Sequence, residues 1–173
     1  MNVRKATQED LSAVTAIFDG IHTLEEKEPT VGWIRGVYPT RQTALAALKR
    51  QDLFVQEAEG KVVGVAVINQ IQVDVYENAP WKYPAPAEKV MVLHTLSIAP
   101  WEQGRGYGTA FARFYEEYAK EQGCPYLRID TNAKNHKARR LYAKLGYEEI
   151  DVVPCVFNGI EGVQLVLMEK FLQ

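Results

Sequence analysis

The sequence predicts an α/β (α+β) fold in which helices flank a mixed, mostly antiparallel, twisted sheet. The apolar residues of the first 50 positions recur with a helical period, whereas those of residues 53–73 are typical of two paired strands. Helical and strand patterns then alternate to about residue 169. A glycine-rich turn separates one strongly apolar strand from an amphipathic helix. Together these observations favour a sheet whose first strands form hairpins and whose later strands are connected by helices.

Length and composition fit a single domain over residues 1–173. Apolar residues make up 47% of the chain, and its net charge of -2 gives no reason to expect nucleic acid or a membrane as partner. Cys124 and Cys155 are far apart with no Cys or His at metal-ligand spacing, so we expect two reduced thiols and no metal. The start of the sequence lacks the apolar core of a signal peptide, and no run is long enough to span a membrane. These features predict a cytoplasmic protein.

Capping residues and turn residues predict the elements in order. Residues 2–5 form a short strand, and Thr7 with Asp10 forms a capping box for the first helix. Thr40 caps a second helix. The remaining predictions are two strands joined at residues 59–61, a proline-containing loop at 74–88, a strand at 90–99, a helix closed by Gly123, a strand at 126–131, a helix from Asn135 to Gly146, and strands at 147–153 and 162–169.

The glycine-rich turn has the sequence Gln103-Gly104-Arg105-Gly106-Tyr107-Gly108. Its glycines let the backbone N–H groups point into one concavity, at the positive end of the following helix. This arrangement predicts a phosphate or pyrophosphate site. The turn lacks the Lys-Ser/Thr ending of a Walker loop, and its glycine spacing differs from that of a dinucleotide fold. The alternative is a glycine-rich connection with no ligand.

A second patterned segment covers residues 135–147. Asn135 begins it, and Ala138, Leu141 and Tyr142 follow at helical spacing. On its own this pattern also fits the buried face of an ordinary helix.

Together, the two segments resemble the GNAT superfamily of acetyl-CoA-dependent N-acetyltransferases. The turn matches the family's Q/R-x-x-G-x-G/A pattern, and the later segment matches its N-x-x-A-x-x-L-Y-x-K-x-G-Y/F pattern. The matched region, from about Val90 to Tyr147, is about a third of the chain. The resemblance implies a V-shaped cofactor cleft between two splayed strands, with acetyl-CoA (coenzyme A) as the cofactor.

The resemblance also implies the positions that contact the cofactor. The backbone of the strand ending at Ile98 would pair with the pantetheine amides, the turn would hold the pyrophosphate, and Asn135 would contact the pantetheine arm. Lys137 or Arg140 could meet a phosphate, or could equally belong to a solvated face. The cofactor-binding residues expected on this basis are Leu96, Ser97, Ile98, Gln103, Gly104, Arg105, Gly106, Tyr107, Gly108, Thr109, Asn135 and Tyr142.

In the family, an amine attacks the acetyl thioester directly and no acyl-enzyme is needed. Tyr142 matches the usual acid, which protonates the leaving sulfur. His94 is a candidate base, acting directly or through a water molecule, because strand alternation would point it to the same face as Ile98. The alternative is a histidine bonded within the core.

The substrate-side expectations are less specific. One of Glu25, Glu26 and Glu28 could bind a cationic amine, with Glu26 as the representative, although a solvated acidic patch is the alternative. Aromatic residues could wall the acceptor pocket, pack in the core or contact another copy, and they are Trp33, Tyr38, Trp81 and Tyr83. The expected partner is a small-molecule amine, and a homodimer is common in the family.

Three other functions stay open from the sequence. The chain could acetylate a protein N-terminus or a lysine, could bind acetyl-CoA as a non-catalytic sensor, or could be a different nucleotide-binding domain. The glycine spacing and the missing Walker lysine count against the last.

Overall fold

The computed structural model describes residues 2–173, in which seven strands form one sheet in the order β1-β2-β3-β4-β5-β7-β6. Only β4 and β5 pair in parallel, and every other neighbouring pair is antiparallel. The predicted mixed, mostly antiparallel sheet is therefore confirmed. The strands are β1 (Asn2–Lys5), β2 (Leu53–Ala58), β3 (Lys61–Asn69), β4 (Val90–Ile98), β5 (Tyr126–Asn132), β6 (Glu148–Phe157) and β7 (Ile160–Phe171).

Four α-helices cover the two faces of this sheet. They are α1 (Leu11–Lys27), α2 (Arg41–Arg50), α3 (Tyr107–Glu121) and α4 (His136–Lys144). None of the helices within residues 2–173 has the length and apolar character that a membrane crossing requires.

The predicted caps are present. The Thr40 hydroxyl accepts the Thr43 N–H ahead of α2, and Asn135 Oδ1 accepts the Ala138 N–H at 3.1 Å ahead of α4. Asp10 Oδ2 accepts the Thr7 N–H at 2.7 Å, so an aspartate does complete the first capping box. A 3₁₀ turn at Gln8–Asp10 then precedes α1.

The last two strands are longer than the sequence predicts. β6 runs to residue 157 and β7 begins at residue 160, joined by Asn158 and Gly159, whose φ angles are +50° and +82°. Such a two-residue turn matches the twist of a hairpin and lets pairing continue to the tip. Pro154 lies within β6, where it is tolerated because β6 is the edge of the sheet.

Alternation along the strands divides the core into two faces. The face that we call the α3 face carries α3 and α4, and Phe54, Ile98 and Ile129 pack there. The opposite α1 face carries α1 and α2 over β2 and β3, and the segment 73–85 over β5 and β7. The two faces are connected by a gap between β4 and β5.

β4 and β5 pair only along their first halves. The parallel register runs from Val90 opposite Tyr126 to Leu93 opposite Ile129, and the two strands then continue without pairing each other. A β-bulge begins at this point, because Thr95 adopts a φ of +56° and the β3–β4 register shifts. The sheet is therefore split into a V beyond Leu93.

The bulge corrects one prediction about side-chain direction. His94 lies opposite Val67, and Ile98 lies opposite Gly64, so the two side chains point to opposite faces. The prediction that His94 and Ile98 share a face is wrong, because Thr95 adds one residue to β4 between them.

Candidate functional site

A cavity of about 870 Å³ occupies the gap between β4 and β5 and is lined by residues from both faces of the sheet. On the α3 face it meets the glycine-rich turn and α4, and on the α1 face it meets the loop 31–38 and the β6–β7 hairpin. The strand divergence thus joins two compartments that an ordinary sheet would keep apart.

The glycine-rich turn forms one end of the cavity. Gly104 and Gly106 have φ angles of +83° and +80°, which favour glycine, and Gly106 is the N-cap of α3. The first N–H bonded within the helix is that of Ala110, to the Gly106 carbonyl at 3.1 Å. The N–H groups of residues 107–109 therefore lack an intrahelical acceptor. This end is suited to an anion.

Two side chains support the turn. Gln56 is fully buried and its Nε2 donates to the Tyr107 carbonyl at 3.0 Å, which fixes the start of α3. Lys137 in α4 reaches across and donates to Gln103 Oε1 at 3.1 Å, and both residues line the cavity. A cation thus stands beside the N-terminus of α3. Arg140 is exposed and does not line the cavity.

The unpaired half of β4 forms the cavity's long side. Leu96, Ser97 and Ile98 line it, and their strand has no partner on the β5 side. A strand edge of this kind presents backbone donors and acceptors that an extended amide-containing ligand can pair with.

Tyr142 lies on the α3 face, on α4, and is 6% exposed. It lines the cavity, and its ring packs edge-on against Tyr147 at 5.6 Å between centroids. Burial raises the pKa of the Tyr142 phenol, which therefore keeps its proton throughout the neutral range.

Asp130 lies on β5 where the strands diverge, and it points to the α1 face. Its Oδ2 accepts the Tyr76 hydroxyl at 2.5 Å, and it lines the cavity. Burial raises the pKa of this carboxyl to about 6, against the lowering effect of the Tyr76 hydrogen bond. Its negative charge in turn contributes to the raised pKa of Tyr142. Asp130 and Tyr142 therefore approach the gap from opposite faces.

His94 lies on the same face as Asp130. Asn69 Oδ1 lies 2.8 Å from His94 Nε2, and Asn69 Nδ2 donates to Asp52 Oδ2 at 2.9 Å. Since Oδ1 accepts, the Nε2 atom carries the proton and Nδ1 is the acceptor. Burial lowers the pKa of His94 to about 4. His94 is thus neutral at physiological pH and is a weaker base than Asp130.

The loop between α1 and α2 closes the cavity on the α1 face. Trp33 and Tyr38 line the cavity, and the Tyr38 hydroxyl bonds the hydroxyl of the bulged Thr95. Burial raises the pKa of Tyr38 to about 12. Gly32, with a φ of +80°, lies so close to Asn132 that an added Cβ would be 2.2 Å from its Nδ2. The loop thus rests on both diverging strands, on Thr95 of β4 and Asn132 of β5.

Glu25 holds this loop in place. The carboxylate is 7% exposed and accepts the backbone N–H groups of Thr30, Val31 and Gly32 at 2.8, 2.9 and 2.7 Å. A buried carboxylate with three backbone donors is a well-satisfied anion, so Glu25 stabilises the loop rather than offering a charge to the cavity.

Replacing Glu25 with alanine is expected to lower the free energy of unfolding by about 2 kcal/mol, because three partly buried backbone N–H groups lose a charged acceptor. The neighbouring Glu28 is exposed, so Glu28→Ala should change stability by less than about 0.5 kcal/mol. Urea unfolding of the two variants measures the difference. Equal stabilities would show that the loop does not depend on the Glu25 carboxylate.

The structure brings together most of the residues expected at the site, including eleven of the twelve expected to contact the cofactor. Lining the cavity are Trp33, Tyr38, His94, Leu96, Ser97, Ile98, Gln103, Gly104, Gly106, Tyr107, Gly108, Thr109, Asn135 and Tyr142. Arg105 does not line it, because its side chain turns back to pair with Glu102 at 3.2 Å.

Three residues expected on the substrate side lie elsewhere. Glu26 pairs with Arg35 at 2.9 Å in an exposed groove outside the cavity. Trp81 donates its indole N–H to the Tyr76 carbonyl at 2.8 Å and packs on the Arg128 guanidinium. Tyr83 packs against Phe171 at 5.4 Å. Trp81 and Tyr83 hold their segment on the sheet, Glu26 pairs at the surface, and none of the three lines the cavity.

The residue that the sequence interpretation missed is Asp130. It lies in the strand segment Tyr-Leu-Arg-Ile-Asp-Thr, where a carboxylate among apolar residues of a buried strand is itself a signal of function. Tyr76, which anchors it, comes from the loop 74–88 and is fully buried. No local pattern links the two.

The comparisons agree with this geometry. Residues 18–147 match the family model described as the acetyltransferase (GNAT) family. An uncharacterized N-acetyltransferase of Methanocaldococcus jannaschii is 31% identical over 108 residues, which cover 61% of this chain but only 44% of that protein. The chain therefore spans less than half the length of that relative. YhfO, an uncharacterized N-acetyltransferase of Bacillus subtilis, is 25% identical over 149 residues, covering 86% of this chain and 91% of YhfO.

Solved structures share the fold of this chain. The structure of yncA from Salmonella typhimurium, solved with its cofactor acetyl-CoA, superimposes with a TM-score of 0.72 at 20% identity, covering 100% of this chain and 94% of yncA. The family match extends over about three-quarters of the chain and includes both patterned segments. Among residues 2–173 no group of His, Cys, Asp or Glu side chains could hold a metal ion. The chain belongs to the acetyltransferase (GNAT) family of acetyl-CoA-dependent acyltransferases.

Proposed function

We propose that the chain, acting as one domain over residues 1–173, transfers an acetyl group from acetyl-CoA to a primary amine of a small molecule. Attack by the amine is direct, in a ternary complex with both substrates bound. The observation that carries this proposal is the cavity through the β4–β5 gap, which has a helix N-terminus suited to an anion on one face and a half-buried carboxylate on the other. Two substrates can enter from opposite faces and meet in the gap.

The residues present fit acetyl-CoA. The N–H groups of residues 107–109 and the Lys137 ammonium suit its pyrophosphate, and the side-chain-free positions of the turn allow close backbone approach. The unpaired edge of Leu96–Ile98 suits its pantetheine amides. The Asn135 Oδ1 atom caps α4 and so fixes that helix beside the cavity, and the Asn135 Nδ2 atom is the donor that would contact the pantetheine arm. When bound, acetyl-CoA supplies an activated acetyl thioester.

Two proton transfers are needed, and the two faces supply one group each. Asp130 accepts the proton of the amine on the α1 face, because its carboxyl is the strongest base in that compartment near neutral pH. Tyr142 donates a proton to the leaving sulfur on the α3 face. His94, with its pKa near 4, serves instead as a neutral residue that lines the acceptor compartment. Neither Cys124 nor Cys155 is required as a nucleophile.

Acetyl-CoA binding tests the proposal. Calorimetry should detect binding by the parent protein and none by Gly106→Trp, because the indole would fill the space in which the phosphates approach the backbone. Gly123→Trp is the matched control, since Gly123 also has a positive φ, of +73°, and open space around it at the far end of α3. Its binding should equal that of the parent.

The outcomes separate the alternatives. A folded parent that does not bind acetyl-CoA would refute the proposal. Binding without thiol release in the presence of amines would indicate a sensor, and preferential turnover of peptides would indicate a protein acetyltransferase.

A further inference from the structure

The part of the cavity on the α1 face, which we call the acceptor compartment, has a continuous aromatic wall. Trp33 and Tyr38 meet edge to face at 6.1 Å between centroids, and Tyr38 meets Phe157 in the same way at 6.3 Å. Beside them the lining is aliphatic, from residues of the segment 71–75 and of the β6–β7 hairpin. These aliphatic lining residues are Val73, Val75, Ile160 and Val163. The wall is suited to an apolar body with an aromatic ring or a similar shape.

The charges in the acceptor compartment are mostly negative. Asp130 lies at the gap, and Asp74 lies exposed at the edge of the compartment. Among the described residues that line this side, Arg50 is the only cation, and its Nε is bonded to Asp52 Oδ2 at 2.9 Å. Lys137, the other lining cation, is on the α3 face with Gln103.

This charge pattern discriminates between amines. A protonated amine is attracted to the compartment by both carboxylates, and it releases one proton to solvent before the neutral amine attacks. A carboxylate attached beside the reacting nitrogen would instead lie close to Asp130, with no unpaired cation on that side to neutralise it. Like charges held close together in a partly desolvated site repel strongly.

We propose that the acceptor is a primary amine on an aromatic or other apolar body with no carboxylate next to the amine. The proposal rests on the proposed function, since it names the substrate class of the same site. Free α-amino acids are thereby excluded as good acceptors.

Three amines that share a benzyl group test the proposal. They are 2-phenylethylamine, phenylalanine amide and phenylalanine, of which phenylalanine alone carries a carboxylate. With saturating acetyl-CoA, kcat/KM for each of the first two is expected to exceed that for phenylalanine at least tenfold. A value for phenylalanine equal to either of the others would overturn the proposal.

A charge reversal tests the cause of the discrimination. Asp74→Arg supplies the missing cation at an exposed position. It should lower the ratio of kcat/KM for 2-phenylethylamine to kcat/KM for phenylalanine at least threefold. Glu121→Arg makes the same change in net charge at the exposed end of α3 and should leave the ratio unchanged. An unaltered ratio in Asp74→Arg would contradict the electrostatic explanation.

The proposal and the function on which it rests fail in different ways. If calorimetry shows acetyl-CoA binding and thiol is released only with acceptors unlike these amines, the acceptor class is wrong and acetyl transfer stands. If acetyl-CoA does not bind, the proposed function itself is refuted.

Discussion

Asp130→Asn is expected to lower kcat/KM for the amine by about 10²- to 10⁴-fold, the contribution typical of a positioned general base. Asparagine has nearly the same shape, and its Oδ1 can still accept the Tyr76 hydroxyl, so the cavity keeps its form. Acetyl-CoA affinity should be unchanged, because Asp130 faces the acceptor compartment. Steady-state kinetics with calorimetry measures both quantities.

The pH profile of this variant provides an independent readout. The pKa of Asp130 is about 6, so in the parent kcat/KM should fall as the pH drops through 6 and the carboxyl becomes protonated. Tyr38, Tyr76, Tyr142 and Cys155 face it and stay neutral there because burial raises each pKa. His94, on the same face, is also neutral there because burial lowers its pKa to about 4, and Asp74 lies at the exposed edge of the compartment. The acidic limb should therefore be absent from Asp130→Asn.

The same substitution should stabilise the protein. A folded-state pKa raised above the unfolded value means that the stability contribution is present at low pH and is lost as the pH rises through 6. Raising the pKa from 3.8 to about 6 corresponds to about 3 kcal/mol. Because the cavity is open to solvent, screening reduces this energy, and we expect Asp130→Asn to raise the free energy of unfolding by about 1–2 kcal/mol at pH 8.

The matched substitution Asp10→Asn should change the free energy of unfolding in the opposite direction. Arg4 donates to both carboxylate oxygens of Asp10 and lowers the pKa of that carboxyl. Its contribution to stability is therefore present at neutral pH and is lost on acidification, so Asp10→Asn should destabilise at pH 8. If Asp130→Asn were inactive and also less stable than the parent, its inactivity would reflect damage to the fold rather than loss of a base.

The cofactor end of the site could be predicted from sequence because its determinants are local. Gly104, Gly106 and the start of α3 lie within a few residues, and the cap that begins α4 is a single asparagine. Backbone conformation and helix termini depend on such short-range rules. The same short-range rules predicted the hairpins and the order of helices and strands.

The acceptor end could not be predicted because it is assembled from distant segments. Tyr76 and Asp130 are 54 residues apart, and Tyr38 and Thr95 are 57 apart. The positive φ of Thr95 has no sequence signal, since threonine rarely adopts it, and without that bulge the direction of His94 is misjudged. Trp81 and Tyr83 carry aromatic rings suited to a pocket, but they lie in a loop and their partners Arg128 and Phe171 lie far along the chain, on β5 and β7.

Tyr142→Phe is expected to lower kcat by about 10²- to 10³-fold while leaving the dissociation constant of acetyl-CoA within about twofold of the parent value. Phenylalanine retains the ring, so the edge-on packing against Tyr147 at 5.6 Å and the shape of the cavity should persist. What is lost is the proton donor on the α3 face, where the thiolate forms. A thiolate expelled into a buried site without a donor is unstable, because desolvation disfavours the charged form.

The adjacent tyrosine supplies the control. The Tyr147 hydroxyl donates to Glu116 at 3.0 Å within the core, away from the cavity, so Tyr147→Phe should cost stability but little in kcat. Rapid-mixing measurement of thiol release by both variants separates chemistry from binding. If Tyr142→Phe released thiol as fast as the parent, the sulfur would have to receive its proton from another group. The proposed mechanism leaves one other proton in the site, the one that Asp130 takes from the amine on the opposite face, so full activity in Tyr142→Phe would show that the acid and the base are not divided between the two faces.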